Sequence, residues 1–134
     1  MNGIEFLIDT NIVIGLLNDS ESVISLAEQM ELELEKTAIS QITRMELLGY
    51  PKITDEDELI IHEFLNECHV LLLDEQIENE ATHLRRSGGF KLPDAIVAAT
   101  AITYKLQLLT LDKRMIQGLQ RLDLDAVLQK GVVG

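Results

Sequence analysis

Short apolar runs alternate with stretches of helical periodicity along the whole chain, and that alternation restricts it to an α/β fold built on a parallel sheet. Residues 4–8, 37–40, 70–73, 107–110 and 124–128 read as strands. Between them, helical spacing or capping signals place helices at about 11–18, 20–34, 41–49, 55–67, 75–86, 93–104 and 113–119. In the second of these, Val23, Leu26, Ala27, Met30 and Leu34 recur on one face, and Ser20 stands where an N-cap would. Its tail, Glu31-Leu32-Glu33-Leu34-Glu35, alternates like a strand but is assigned to the helix. Gly49 and Pro51 close the third helix, and Asp55 caps the fourth, whose acid-rich first turn suits the helix dipole. Ser87-Gly88-Gly89 ends the fifth, and Pro93 opens the sixth at a favoured first position. Strands joined by helices predict a three-layer fold, a central parallel sheet of about five strands with helices on both faces. At 134 residues the chain is one domain spanning 1–134, long enough to bury roughly two-thirds of its unfolded surface.

In such sheets ligands gather beyond the carboxyl ends of the strands. Asp9 directly follows the first apolar run, and Asp112 lies just past Leu108-Leu109-Thr110-Leu111. Glu46 falls about two turns into a helix that starts at the same edge, and Asp94 follows Pro93 at the opening of an alanine-rich helix. Each acid has an ordinary explanation: Asp9 and Asp112 as N-caps, Asp94 as a first-turn acid, Glu46 as a solvated side chain. Four such explanations must then hold independently, whereas one shared site accounts for all of them. Carboxylates gathered together repel unless one is protonated or a cation neutralises them. A hard divalent cation on oxygen ligands is the simplest remedy.

The charge balance bears on partners. With 23 acidic against 11 basic residues the formal net charge is −12, which opposes broad affinity for nucleic acid and favours a cation or a basic partner. Bound divalent ions would supply local positive charge at a phosphodiester site. The lone cysteine, Cys68, allows no internal disulfide and reads as a buried apolar residue. With no signal peptide and no apolar run of about 18 residues, a cytoplasmic protein without membrane attachment is expected.

Four segments carry a resemblance to a known family: Phe6-Leu-Ile-Asp-Thr-Asn11, Ile39-Ser-Gln-Ile-Thr-Arg-Met-Glu-Leu-Leu-Gly49, Leu92-Pro-Asp-Ala-Ile-Val-Ala-Ala-Thr-Ala101 and Leu109-Thr-Leu-Asp112. In this order and across nearly the whole chain, they make it resemble the PIN-domain ribonucleases, most closely the VapC-type toxins of toxin–antitoxin pairs. The resemblance implies that Asp9, Glu46, Asp94 and Asp112 bind one or two Mg²⁺ or Mn²⁺ ions, with Asn11 and Thr110 as supporting polar residues. Many relatives carry a further acid shortly after the last one, ahead of an aromatic; here that stretch is Lys113-Arg114-Met115 and the acid is missing. The activity implied is hydrolysis of RNA phosphodiester bonds, leaving a 5′-phosphate and a 3′-hydroxyl. The partners implied are an RNA substrate, a small antitoxin with a basic segment and a second copy in a homodimer.

Arg44, Arg85, Arg86, Lys91, Lys113 and Arg114 are the cations placed to meet substrate, with Lys91 and Arg114 flanking Asp94 and Asp112. His62, His69 and His83 lack metal-ligand spacing, so zinc is not expected. Tyr50, Phe64, Phe90 and Tyr104 are too scattered for a base-stacking platform. Two alternatives stand beside the nuclease. One is a PIN-like module that only binds partners. The other is a Mg²⁺-dependent phospho-receiver domain, which needs an acceptor Asp at the end of the middle strand and a lysine after a late one. Asp74 is the candidate acceptor, and Lys130 beside Gly131-Val132-Val133-Gly134 the only late lysine.

Overall fold

Alternating side chains on four short strands decide the layers. The computed structural model describes residues 3–129, so the Lys130–Gly134 segment lies outside the described residues. Strands β1 (Phe6–Ile8), β2 (Thr37–Ser40), β3 (His69–Leu71) and β4 (Gln107–Leu109) pair in parallel in the order β3-β2-β1-β4. Leu7 stands opposite Ala38 on one side and Leu108 on the other. Because successive residues point to opposite faces, Leu7, Ala38, Leu71 and Leu108 enter one core, and Phe6, Ile8, Ile39 and Leu109 enter the other.

Helices cover both faces. The first core is closed by α5 (Glu75–Gly88), α6 (Leu92–Tyr104) and α7 (Lys113–Arg121), through residues such as Leu84, Ala98 and Met115. The second is closed by α1 (Thr10–Leu17), α2 (Glu21–Gln29), α3 (Gln41–Leu48) and α4 (Asp55–Glu67), through Ile12, Val23, Leu47 and Phe64. The small residues Ala95, Ala98, Ala99 and Ala101 of α6 are fully buried, which lets that helix lie close against the sheet and α5. The three-layer α/β architecture expected from the alternation is the one observed.

Four local expectations need correction. The second helix ends at Gln29 rather than Leu34. There Glu31 adopts a left-handed φ of 54° and the amides of Glu31 and Leu32 return to Glu28 and Ala27, which closes the helix. The Glu31–Glu35 tail then leads into a single 3-10 turn, Leu34–Lys36. The third strand stops at Leu71, leaving Leu72 58% and Leu73 42% exposed. It is an edge strand, and the Leu73 amide leaves the ladder to bond Gln41 Oε1 at 2.8 Å. Thr54, not Asp55, caps α4, forming a reciprocal capping box with Asp57. At 124–128 the chain forms a 3-10 turn (Asp125–Val127) and one parallel bridge, Leu128 to Leu108, instead of a full strand.

Candidate metal centre

The strand order places a crevice between β1 and β4. From β1 the chain builds outward through β2 to β3, then returns to lay β4 on the other side of β1. At such a reversal the connections leave the carboxyl edge in opposite directions and open a ligand site. Asp9 follows β1 there, and Thr110 and Asp112 follow β4, with the Asp9 amide donating to Leu109 O at 3.0 Å.

Asp9 is the most enclosed of the four acids, at 6% exposed. Its Oδ1 accepts the Thr10 amide at 2.8 Å, so it does cap α1. Its Oδ2 accepts from Thr110 Oγ1 at 2.8 Å and from Asn11 Nδ2 at 3.2 Å. Burial raises its proton affinity above the ordinary carboxylate value; the Thr110 and Thr10 bonds oppose that, and the charges of Asp112 and Glu46 add to it.

Thr110 ties the two strand ends together. Its hydroxyl donates to Asp9 and accepts the Asp112 amide at 3.0 Å. Its backbone is held from behind by buried Gln129, whose Oε1 accepts the Thr110 amide at 3.3 Å and whose Nε2 donates to the Thr110 carbonyl at 3.1 Å. Asn11 adds a second tie, accepting the Leu111 amide on Oδ1 at 3.1 Å. The Asp112 Oδ1 caps α7 through the Arg114 and Met115 amides, at 2.9 and 3.3 Å.

The other two acids arrive from helices. Glu46, on α3, is exposed, and its Oε1 accepts the Thr10 hydroxyl at 2.7 Å; that hydroxyl also lies 3.2 Å from buried Thr43 Oγ1. Asp94 sits half-buried in the first turn of α6 and is pushed up to about 6, first by burial and then by Asp112, Asp9 and Glu46, with Lys91 opposing. All four expected acids therefore share one electrostatic neighbourhood.

The donor set fits a hard cation. Buried, mutually repelling carboxylates raise one another's proton affinity, and a divalent ion relieves the same strain without a proton. Among the described residues no three His, Cys, Asp or Glu side chains already close around one point. An ion here would be held by one or two carboxylates and completed by water, the habit of Mg²⁺ rather than Zn²⁺.

Three supporting residues escaped the sequence reading: Thr10, Thr43 and Gln129. Thr10 lies between Asp9 and Asn11, so adjacency offered a signal; Thr43 and Gln129 offered none, since only packing brings them here. Lys91 and Arg114 line a recess that includes Asp94, whereas Arg44, Arg85, Arg86 and Lys113 do not. His62 pairs with Glu58, His69 meets the Glu35 carbonyl and His83 is exposed. Cys68 is partly buried, and burial pushes its thiol up to about 11, an inert state. Asp74 follows the edge strand rather than the middle of the sheet and is occupied by the Ile77 amide and the Tyr104 hydroxyl, so it is no receiver acceptor. Among the described residues no helix is long and apolar enough to cross a membrane.

The PIN domain family matches residues 6–119. No curated protein matches the chain significantly. A toxin–antitoxin complex from Klebsiella pneumoniae contains a similar chain at 28% identity and a TM-score of 0.76, covering 94% of this chain and 97% of that one. VapBC-1 from nontypeable Haemophilus influenzae is similar at 23% identity and a TM-score of 0.70, with the same coverage. FitAcB from Neisseria gonorrhoeae is similar at 24% identity and a TM-score of 0.71, over 86% of this chain and 93% of that one.

Proposed function

The chain belongs to the PIN-domain family, and on that premise we propose that it is a metal-dependent endoribonuclease and the toxin of a toxin–antitoxin pair. The observation that carries the nuclease reading is the gathering of Asp9, Glu46, Asp94 and Asp112 at the sheet's reversal point, around the raised proton affinity of Asp94. The likeness to a chain of the Klebsiella toxin–antitoxin complex supports the toxin role and a protein partner.

Asp9 and Asp94 are the residues to hold Mg²⁺ or Mn²⁺ directly; Glu46 and Asp112 would hold water around it or a second ion. A bound divalent ion supplies an activated water and charge stabilisation for the phosphate and the leaving oxygen. The protein's own contribution is positional. Thr110 and the Thr10 amide fix both oxygens of Asp9, so its carboxylate keeps one orientation. The Thr10 hydroxyl holds Glu46 toward the crevice, and the Arg114 and Met115 amides fix one oxygen of Asp112 and leave the other available. The products expected are a 5′-phosphate and a 3′-hydroxyl.

An acidic centre on a chain of net charge −12 suits an antitoxin segment bearing arginine or lysine. A homodimer working in the cytoplasm completes the reading. The test is cleavage of a mixed cellular RNA pool by purified protein with Mg²⁺, Mn²⁺ or EDTA, beside Asp9→Asn. Discrete fragments that need metal and vanish in Asp9→Asn are expected. Equal cleavage by folded Asp9→Asn would refute the site. No cleavage by folded, metal-binding wild type would leave a binding-only PIN module.

A further inference from the structure

A recess of about 340 Å³ adjoins the acidic centre and shares Asp94 with it, yet three of its other walls are cationic: Lys91, Arg114 and Arg121. That is a concentration of positive charge in a chain with only 11 Lys and Arg. Helix energetics accounts for Arg121, in the last turn of α7, but not for the other two. Lys91 is the N-cap of α6 and Arg114 the second residue of α7, positions where the dipole disfavours a cation. Ion pairing does not explain it either, beyond the attraction of Lys91 to Asp94. Among the described residues the pairs within 4 Å are Lys36–Glu33 and His62–Glu58, which include none of the three. Arg121 donates one N–H to the Gly88 carbonyl at 2.9 Å, which orients its guanidinium and leaves further donors for a ligand.

The floor is preformed. The buried ring of Phe90 lies between Gly88 and Gly118, and a Cβ at either glycine would come within 2.6 or 2.7 Å of it. Those two close approaches let α7 lie against the end of α5. The volume is that of a small-ligand site, and the charge asks for an anion that also reaches Asp94.

We propose that the recess lined by Lys91, Arg114 and Arg121 grips the RNA phosphate next to the one cleaved, and so sets the direction in which the strand crosses the acidic centre. The inference rests on the ribonuclease reading for its substrate class. Asp94 on the shared wall works against that phosphate, so a cation beside Asp94 would tighten strand binding beyond what the three basic groups give without it.

The test compares wild type, Lys91→Gln/Arg114→Gln and a charge-matched control, Lys36→Gln/Lys105→Gln. The control lysines precede β2 and β4, at the opposite edge of the sheet. Binding of a fluorescent 12-nucleotide RNA of randomised sequence is followed by anisotropy in EDTA at low salt, and cleavage of cellular RNA is measured with Mg²⁺. The recess variant is expected to bind at least tenfold more weakly, with a salt dependence shallower by about 0.7, the loss of one phosphate contact. Its KM should rise by more than its kcat falls. The control pair should stay within twofold of wild type. Equal weakening in both pairs, wild-type affinity in the recess variant, or no RNA binding by wild type overturns the proposal. Absence of metal-dependent cleavage by wild type refutes the ribonuclease reading alone, because the binding arm still tests the recess as an anionic-strand site.

Discussion

Thr110 shows how one side chain can serve fold and site together. Its hydroxyl satisfies Asp9 and the Asp112 amide at once, in a fully buried position. Thr110→Val keeps the shape and removes both bonds, leaving the Asp112 amide without its partner and the buried Asp9 Oδ2 with only the longer bond from Asn11. A loss of about 1–3 kcal/mol is expected, measured by urea unfolding; unchanged stability would mean that these bonds contribute nothing net. Asp94 makes the opposite case. Its carboxyl is raised from 3.8 to about 6 in the folded protein, so its favourable contribution is complete below pH 3.8 and lost as pH rises through about 6. Above that, the ionised group opposes folding by at most about 3 kcal/mol, and by about 1 kcal/mol once its partial exposure is allowed for. Asp94→Asn should therefore raise the melting temperature in EDTA at pH 7.5 by roughly 3–5 °C, with the gain shrinking towards pH 4. A gain independent of pH would remove charge as its cause.

At the scale of elements, helix ends account for most of the difference between what sequence suggests and what forms. Asp19, Glu31, Lys105 and Asp123 all adopt left-handed φ values of 54–58° just past helices, where glycine is the usual residue. None carries the sequence signature of a stop, so the periodicity of residues 20–34 ran through Glu31 unopposed. Glu31→Gly should relieve the left-handed strain and stabilise by about 0.5–1 kcal/mol; calorimetry showing a loss would contradict this account of the helix end. Gly15 reads from sequence as an ordinary helical residue, but a Cβ there would run into the side chain of Val23 where α1 crosses α2. Gly15→Ala should destabilise by roughly 1–3 kcal/mol through overpacking, read in a thermal melt. Elements with explicit signals were legible: Pro93 at the start of α6 and Gly89 closing α5 in a left-handed conformation.

For the molecule as a whole, charge is the governing quantity. On the proposed reading, a net charge of −12 with four acids converging at one edge is expected to make the folded state a sink for divalent cations. A ligand that binds only the folded state raises stability by about 2.7 kcal/mol at a hundred times its Kd. Mg²⁺ at several millimolar should therefore raise the melting temperature of wild type by several degrees and leave Asp9→Asn/Asp94→Asn nearly unchanged. The same rise in both proteins would point to diffuse screening instead of a site. This separates the metal question from the cleavage assay, since it needs no substrate.

The sequence by itself determined the layers and the acids. Periods of 2.0 and 3.6 are local properties, so Leu7 against Ile8 or Ala98 within α6 could be sorted without knowing any neighbour. Asp9 and Asp112 could likewise be set at strand ends from the runs before them. Only the tertiary structure decided that β4 lies beside β1, which makes a crevice of that edge and brings Thr110 within 2.8 Å of Asp9. It also brought Gln129 behind Thr110 and closed the basic recess with Phe90 between two glycines. Strand order and such contacts arise from packing between residues far apart in the chain, and no periodicity within a segment encodes them.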